Sequence, residues 1–381
     1  MTPRPFTIAV PDSVIDDLRS RLANTRFARP RIVRDERVAA RTDPRFPHPT
    51  APGWEAGVDP AYLQTLVGYW ADRFDWRAAE RRLNGYPQFL DEGMHFVHLR
   101  RDPTRPPVLL THGWPSAFTE LLPLAELLDV DVVVPSLPGY LYSDLLDEPM
   151  TRRAIGERLH RLMRGLGYDR YFAFGGDVGG SACGWLAADH PDEVAGLHVI
   201  HGPFPGEYAE PITSAEQLWI DSDDVRGEQD GGYDAMLASR PDTIAAAMMD
   251  SPAGMAAFIL DKLWAWSDNG GDLESRFDRD ELCTLLTLYW STGSFDTSTQ
   301  HDLDAPLNAS RPTITVPVAV TQSHEWNMPL FPRSIAERAA SDIRFYESAP
   351  RGGHFLAYEE PAYIAERLMA FMRSVTEGRA G

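Results

Sequence analysis

Downstream of His95, short apolar segments bounded by glycine and proline alternate with longer segments of helical spacing. The short segments have the length and composition of buried strands. They are residues 108–110, 130–134, 171–174 and 196–200, and the helical segments between them are residues 117–128, 153–166 and 180–190. Since parallel strands need a long crossover that is usually a helix, this alternation predicts an α/β fold with βαβ units and a parallel sheet.

The alternation is interrupted by a mostly helical segment, roughly residues 203–304, that is rich in Met, Trp and Tyr. Strand-like sequence resumes at residues 313–320 and again near 343–347, and residues 361–373 have the spacing of a terminal helix. A parallel sheet with a late helical insertion is similar to an α/β-hydrolase core that carries a helical cap.

The residues upstream of this core also show helical spacing. Residues 12–23 predict a helix with Asp12 as its N-cap, residues 62–83 predict further helix, and the Arg- and Pro-rich residues 26–52 predict an exposed loop. We therefore expect four segments: an N-terminal helical extension at 1–87, a first part of the core at 88–203, a helical cap at 204–304 and a second part of the core at 305–381.

The amino-acid composition limits the kinds of ligand and cofactor that this chain can bind. The formal net charge of −20 over 381 residues repels phosphate backbones, so we expect no binding to nucleic acid. Lys262 is the only lysine, which leaves Schiff-base chemistry to that residue alone. Cys183 and Cys283, the only cysteines, make no disulfide framework and no zinc cluster. The first residues contain no signal-peptide core and no membrane span. We expect a cytoplasmic protein without cofactor, metal or membrane anchor, and leave open a homodimer.

A glycine-rich turn lies between the predicted strand at 171–174 and the helix that follows it. Its sequence is Gly175-Gly176-Asp177-Val178-Gly179. α/β-Hydrolases place their nucleophile on a strained strand–turn–helix of this kind. A Cβ at Gly175 or Gly179 would collide with the neighbouring strand or helix. Asp177 is therefore a candidate nucleophile; the alternative is a tight turn with a solvent-exposed aspartate.

Two further motifs follow predicted strands. Thr111-His112-Gly113-Trp114-Pro115 comes directly after the strand at 108–110, where the backbone N–H groups of Trp114 and Val178 could together hold an oxyanion. His354 lies in a loop, Arg351-Gly352-Gly353-His354-Phe355, after the last predicted strand, where it could act as a general base.

The carboxylate that orients His354 has more than one candidate. Glu325 follows the strand that ends near residue 320 and precedes His354 by 29 residues. Glu207 and Glu210, which follow the strand ending near residue 200, are the rival placements. We favour Glu325, because the chain order nucleophile, acid, base then matches the hydrolase pattern.

Together these motifs resemble epoxide hydrolases of the microsomal type, which carry an N-terminal epoxide hydrolase domain. The resemblance spans nearly the whole chain. The residues that carry it are Pro5-Phe6, Tyr69-Trp70, Phe74-Asp75-Trp76-Arg77, Pro87-Gln88-Phe89, His112-Gly113-Trp114-Pro115, Ser136-Leu137-Pro138-Gly139-Tyr140, Gly176-Asp177, Asp250-Ser251-Pro252-Ala253-Gly254 and Leu288-Tyr289-Trp290-Ser291-Thr292-Gly293.

The resemblance implies a nucleophilic aspartate, a histidine with an acidic partner, and two cap tyrosines that donate hydrogen bonds to the epoxide oxygen. Asp177 would attack an epoxide carbon, and water activated by His354 would hydrolyse the resulting ester. One tyrosine corresponds to Tyr233, whereas Asp302 occupies the register of the other. The expected partner is an apolar small-molecule epoxide.

Two alternatives follow from departures from the family pattern. Loss of the second tyrosine is compatible with a repurposed, non-hydrolytic scaffold that binds an apolar ligand under the cap. Haloalkane dehalogenases share the aspartate nucleophile, but in that family an indole N–H beside the nucleophile binds the halide. Val178 has no indole N–H, so haloalkane dehalogenation is the weaker of these two alternative functions.

Overall fold

A computed structural model describes residues 3–29, 31, 43, 45–46, 51–200, 212–308, 313–325 and 331–377. Most of the predicted loop at 26–52 and both rival acids, Glu207 and Glu210, lie outside these residues. The predicted segment boundary at 203/204 does so as well.

The described strands form one nine-stranded sheet. In chain order they are β1 Arg4–Phe6, β2 Gln88–Asp91, β3 Met94–Leu99, β4 Val108–Thr111, β5 Val132–Pro135, β6 Tyr171–Gly175, β7 Val194–Ile200, β8 Val318–Gln322 and β9 Ile343–Ser348. Their order across the sheet is β1-β2-β3-β5-β4-β6-β7-β8-β9. From β5 to β9 all neighbours pair in parallel, as predicted. The three antiparallel strands at the β1 edge were not predicted.

Sixteen helices are described. They are α1 Asp12–Ala23, α2 Pro60–Asp72, α3 Trp76–Leu83, α4 Leu122–Leu127, α5 Arg152–Gly165, α6 Asp177–Asp189, α7 Ser214–Asp230, α8 Gly232–Ser239, α9 Pro241–Met248, α10 Pro252–Trp266, α11 Arg279–Thr292, α12 Ser294–Ser298, α13 Gln300–Leu303, α14 Arg333–Glu337, α15 Leu356–Glu359 and α16 Pro361–Glu377. Short 3₁₀ helices cover Phe118–Leu121, Leu273–Ser275 and Ala305–Leu307.

Three local predictions are corrected by the structure. Pro11, not Asp12, is the N-cap of α1, and no side chain caps that helix. Residues 62–83 form two helices, because the Asp75 side chain accepts the Ala78 N–H and starts α3 anew. Strand β8 begins at Val318 rather than near residue 313, since Pro317 has no N–H to donate to a ladder.

The N-terminal segment contacts both the sheet and the helices after β7. Strand β1 pairs with β2 at the sheet edge. Trp54 stacks on Trp264 of α10 with ring centroids 4.7 Å apart. Trp70 of α2 donates its indole N–H to Thr287 Oγ1 of α11 at 2.8 Å. The helices at residues 214–303 are thus held by the N-terminal segment as well as by the sheet.

Among the described residues, no single helix has both the length and the apolar composition needed to cross a membrane. Helices α9 and α10 meet the criterion only when taken together, and they are bent by 119° at their junction.

The parallel strands bring the candidate site residues to one edge of the sheet. Trp114 follows β4, Asp177 follows β6, Glu325 follows β8 and His354 follows β9. The carboxyl ends of parallel strands all meet at that edge, where open α/β sheets place their ligands.

Candidate active site

Asp177 lies on a strained turn at the end of β6. Its φ of 51° is in the left-handed region, which is rare for residues other than glycine, and it is the first residue of α6. A Cβ on Gly175 would overlap Thr111 Oγ1, and one on Gly179 would overlap the His112 carbonyl oxygen. The two glycines therefore allow the turn to pack against the loop after β4, as the sequence predicted.

Backbone amides hold the Asp177 carboxylate. The N–H of Trp114 donates to Oδ1 at 3.0 Å, and the N–H of Val178 also donates to this carboxylate. Burial raises the pKa of Asp177, but His354 and the two amides outweigh burial and keep that pKa below its usual value. The side chain is therefore an ionised carboxylate at neutral pH, with two N–H donors that could later hold an oxyanion.

His354 lies between two carboxylates. Its Nε2 is 3.7 Å from Asp177 Oδ2, and its Nδ1 is 3.1 Å from Glu325 Oε1. Burial lowers the pKa of His354, but the charges of Glu325, Asp177 and Glu120 outweigh it and raise that pKa to about 9. Nε2 and the nucleophile are thus close but too far apart for a hydrogen bond, which leaves room for a reacting group between them.

The structure brings the favoured acid, Glu325, to His354. Its second oxygen, Oε2, lies 3.5 Å from Nη1 of Arg226 in α7. The sequence reading missed Arg226, because nothing in the spacing of α7 marks one of its charged residues as facing the end of β8.

A second carboxylate, also missed, fixes the loop that carries His354. Glu359 accepts hydrogen bonds from the backbone N–H groups of Gly353, Phe355 and Asp268 at 3.0, 3.2 and 2.9 Å. The His354 N–H donates to the Trp266 carbonyl oxygen at 2.7 Å. His354 is therefore tied to the C-terminal end of α10.

Tyr233, at the start of α8, lies above the nucleophile loop among aromatic rings. Its ring stacks on Trp114 with centroids 5.6 Å apart and meets Trp266 edge-on at 5.4 Å. Lys262 Nζ lies 4.7 Å from the centroid of the same ring. Burial, followed by the nearby Asp177 charge, raises the pKa of Tyr233, so the phenol stays protonated and can donate.

A cavity of about 310 Å³ opens beside Tyr233. Its walls are more polar than the Met- and Trp-rich sequence suggested. They consist of Asp223, Arg226, Gly227, Asp230, Gly231, Tyr233, Asp234 and Trp266.

Asp302 contacts His301 rather than standing as a donor over Asp177. Its Oδ1 lies 3.0 Å from His301 Nδ1, and His301 Nε2 is 2.9 Å from the Tyr140 hydroxyl. Tyr289, another phenol near the site, donates to the Ser116 carbonyl oxygen at 2.9 Å. In the described part of the chain, Tyr233 is the phenol left facing the cavity.

One group of potential metal ligands occurs among the described residues, and it is remote from this site. The ligand atoms of His160, His190 and Glu193 lie within 4.8 Å of one another. His190 follows the last residue of α6, so the 13-residue helix separates it from Asp177 by roughly 20 Å. The two imidazoles stack in parallel with centroids 3.5 Å apart, an arrangement in which their in-plane lone pairs do not converge on one ion.

Comparison with known proteins adds independent findings. The family model described as "Epoxide hydrolase N terminus" matches residues 3–121, and "alpha/beta hydrolase fold" matches residues 106–228. A Stigmatella aurantiaca protein named "Putative epoxide hydrolase" is 34% identical over 97% of this chain and 85% of its own length. Epoxide hydrolase 1 of Sus scrofa is 28% identical over 97% of this chain and 88% of its own. The solved structure of Aspergillus niger epoxide hydrolase has a TM-score of 0.81 at 26% identity, covering 98% of this chain and 97% of that one.

Proposed function

Since the chain belongs to the microsomal-type family of epoxide hydrolases, we propose that it opens an apolar epoxide to a vicinal diol through an ester between the substrate and Asp177. Its α/β-hydrolase fold and its activity as an epoxide hydrolase follow from this membership. One observation carries the proposed mechanism: an ionised Asp177 on a strained turn, with Oδ1 bound by the Trp114 amide and Oδ2 3.7 Å from His354 Nε2.

In the first step Asp177 Oδ2 attacks an epoxide carbon. The bond between that carbon and the ring oxygen breaks, and the oxygen takes a proton from the Tyr233 hydroxyl. An alkoxide is a poor leaving group, so a phenol that donates to it as charge develops lowers the barrier. The rings of Trp114, Trp266 and Phe258 near Tyr233 support an apolar group beside the epoxide. Asp223 and Asp230 in the cavity wall are paired with Arg226 and Lys262, so Asp234 is the wall carboxylate that suits a hydroxyl group of the substrate.

In the second step water attacks the Asp177 ester carbon while His354 Nε2 accepts a water proton. The tetrahedral oxyanion is held by the amides of Trp114 and Val178. Its collapse breaks the bond to the diol oxygen, which takes the proton from His354. The second proton of the water leaves as the Asp177 carboxylate re-forms, and this balances the proton that the Tyr233 phenolate takes from solvent after ring opening. Esterification also removes the negative charge of Asp177, one of the charges that raise the pKa of His354. The imidazole is therefore less often protonated at the stage that needs a neutral base.

Isotope labelling tests the ester. In a single turnover in ¹⁸O water, the label is expected in the Asp177 carboxylate, and the first diol released should contain only ordinary oxygen. The measurement is intact-mass and peptide mass spectrometry of the enzyme alongside mass analysis of the diol. Label that enters the diol in the first turnover, with none in the enzyme, contradicts nucleophilic attack by Asp177.

His354→Gln provides the matching trap. The variant should still form the ester but not hydrolyse it, so it should consume roughly one equivalent of epoxide per enzyme and release no diol. Monitoring halide release from chlorinated and brominated alkanes in parallel addresses dehalogenation. We expect none, because Val178 offers no indole N–H and the Trp266 indole N–H already donates to Asp230.

A further inference from the structure

A small cavity lies beneath the nucleophile, on the side of the oxyanion loop. We call it the inner cavity; its lining includes the polar side chains of Asp177, His354, Ser116 and Glu120. The space open to a water-sized sphere is about 10 Å³, which is room for roughly one water molecule. Buried water needs two to four polar partners, and this lining provides them.

Glu120 stands where the inner cavity meets a second one. It belongs to the 3₁₀ helix Phe118–Leu121 that follows the oxyanion loop, and its carboxylate accepts a hydrogen bond from the Ser116 hydroxyl. Ser116, Glu120 and Phe355 line both cavities. No ion pair of Glu120 occurs among the described residues, so the carboxylate has acceptor capacity left for a water molecule.

The second cavity, which we call the outer cavity, has a volume of about 50 Å³. Apolar side chains, including Leu263, Phe277 and Leu285, form most of its wall, and the exposed Arg82 of α3 also lines it. The described linings of the outer cavity and of the cavity beside Tyr233 have no residue in common. The two are therefore separate, and of these two only the outer cavity shares lining residues with the inner cavity.

We propose that Glu120, fixed by Ser116, positions the hydrolytic water against His354, and that this water enters through the outer cavity while the substrate occupies the cavity beside Tyr233. This inference rests on the proposed ester mechanism. The water donates one proton to His354 Nε2 and a hydrogen bond to Glu120, and its oxygen forms the new bond to the ester carbon of Asp177. The proton on His354 then passes to the departing alkoxide oxygen of the diol, and Glu120 ends unchanged.

The electrostatics of the pair agree with this geometry. Burial raises the pKa of Glu120 to about 7, against the opposing effects of the Ser116 hydrogen bond and of His354. Glu120 is in turn one of the charges that raise the pKa of His354. Removing the Glu120 charge should therefore lower the pKa of His354 as well as release the water.

Single-turnover kinetics of Glu120→Leu and Glu120→Gln test the position of the water. Acid quenching and intact-mass spectrometry give the rates of ester formation and ester hydrolysis separately. Ester formation should be unchanged, and hydrolysis should slow by about 10- to 100-fold in Glu120→Leu, as expected for loss of a hydrogen bond to a charged group. In Glu120→Gln the pH profile of hydrolysis should also shift to lower pH, which a purely structural role would not cause.

Glu126→Gln is the matched control, because Glu126 follows on α4 and its carboxylate accepts from Tyr86 at the surface. It should leave both rates unchanged. If His354→Gln accumulates ester and Glu120→Leu does not, the role of Glu120 is refuted while the ester mechanism stands. If neither accumulates ester, the proposed function itself fails. If Glu120→Leu does not fold, Ser116→Ala tests the same proposal, because it removes the hydroxyl that holds Glu120 and leaves the backbone carbonyl of residue 116 in place. It should slow ester hydrolysis and leave ester formation unchanged.

The route of the water is tested by filling the outer cavity. Leu285→Trp should slow hydrolysis without slowing ester formation. Leu127→Trp, at a position whose side chain is 51% exposed, is the control and should change neither rate. Normal hydrolysis in a folded Leu285→Trp variant would mean that the water shares the substrate's route.

Discussion

The ring of Tyr233 is enclosed by two indoles and an ammonium group, an environment unlike that of a surface tyrosine. Trp114 stacks on one face, and Lys262 Nζ lies 4.7 Å from the ring centroid. Lys262 is itself held by ion pairs with Asp230 and, at 2.9 Å, Asp261. A cation this close to an aromatic ring is attracted by the negative face of the ring, so Lys262 helps to fix the position of the Tyr233 ring.

We predict that Tyr233→Phe slows ester formation by about 10- to 100-fold, since a hydrogen bond to a charged oxygen is worth roughly 1.5–3 kcal/mol. Ester hydrolysis should be unaffected, because Tyr233 takes no part in that step. Stopped-flow tryptophan fluorescence on a single turnover separates the two rates. Tyr142→Phe is the control, as that ring packs against Phe6 and His95 instead. Near-normal ester formation in Tyr233→Phe would mean that another donor serves the epoxide oxygen.

The site residues differ in how readable they were from the sequence. Asp177, Trp114 and His354 lie in short motifs whose glycines and spacing reflect local backbone geometry. Their positions could therefore be predicted from the adjacent sequence alone. Glu120 lies in a segment predicted as an ordinary helix, and Glu359 lies just before another predicted helix. They face the site only because β4 and β9 end at the same sheet edge, a tertiary fact that no local pattern contains.

The loop after β9 packs closely against the backbone at the end of α10. A Cβ on Gly353 would come 2.5 Å from the Trp266 carbonyl oxygen, so this loop lies directly on the end of α10. Glu359, at the end of α15, joins the two by accepting three backbone N–H groups. Its carboxylate thus sets the position from which His354 reaches Asp177.

Glu359→Gln should lower kcat by about tenfold, because an amide cannot accept all three N–H groups and the loop that carries His354 loosens. Since this slows hydrolysis of the ester, KM should fall along with kcat and kcat/KM should change little. Glu325→Gln, which removes the direct partner of His354, should cost more, on the order of 10²-fold. The matched control is Glu360→Gln, one residue along, whose carboxylate pairs with Arg276 and Arg351 rather than with the loop backbone. Steady-state kinetics measure kcat for each variant. Equal losses of kcat in Glu359→Gln and Glu360→Gln would contradict the role of Glu359 in positioning the His354 loop.

The strands that were predicted well are the buried parallel ones, whose apolar runs are bounded by Gly and Pro. The strands that were missed, β1 to β3, are antiparallel, and β1 and β2 are short and partly exposed. Their pairing depends on chain far apart in sequence, since β1 at Arg4–Phe6 aligns with Gln88 to Leu90. A local apolar pattern gives no sign of a partner at that distance.

Lys262, the single lysine of the chain, is buried in contacts between helices α7 and α10. Lys262 is 4% exposed, lies on α10 and is paired with two aspartates. We predict that an amine-reactive ester leaves Lys262 unmodified in the folded protein and modifies it readily after unfolding in urea. Peptide mass mapping measures the fraction modified. Rapid modification of Lys262 under native conditions would show that the helices around it open on the timescale of the reagent.

The Trp54–Trp264 stack has a consequence for which substrates, by their cross-section, can enter the active site. A rigid-body rotation of the helices at residues 214–303 away from the sheet would break this stack and the Trp70–Thr287 hydrogen bond, because β1 remains paired in the sheet. The N-terminal segment therefore restricts the movement of the helices that cover the site, so the opening to the site keeps a nearly constant diameter. Such an enzyme discriminates as a sieve does: turnover should drop sharply beyond a threshold cross-section of the substrate, instead of declining gradually with its length.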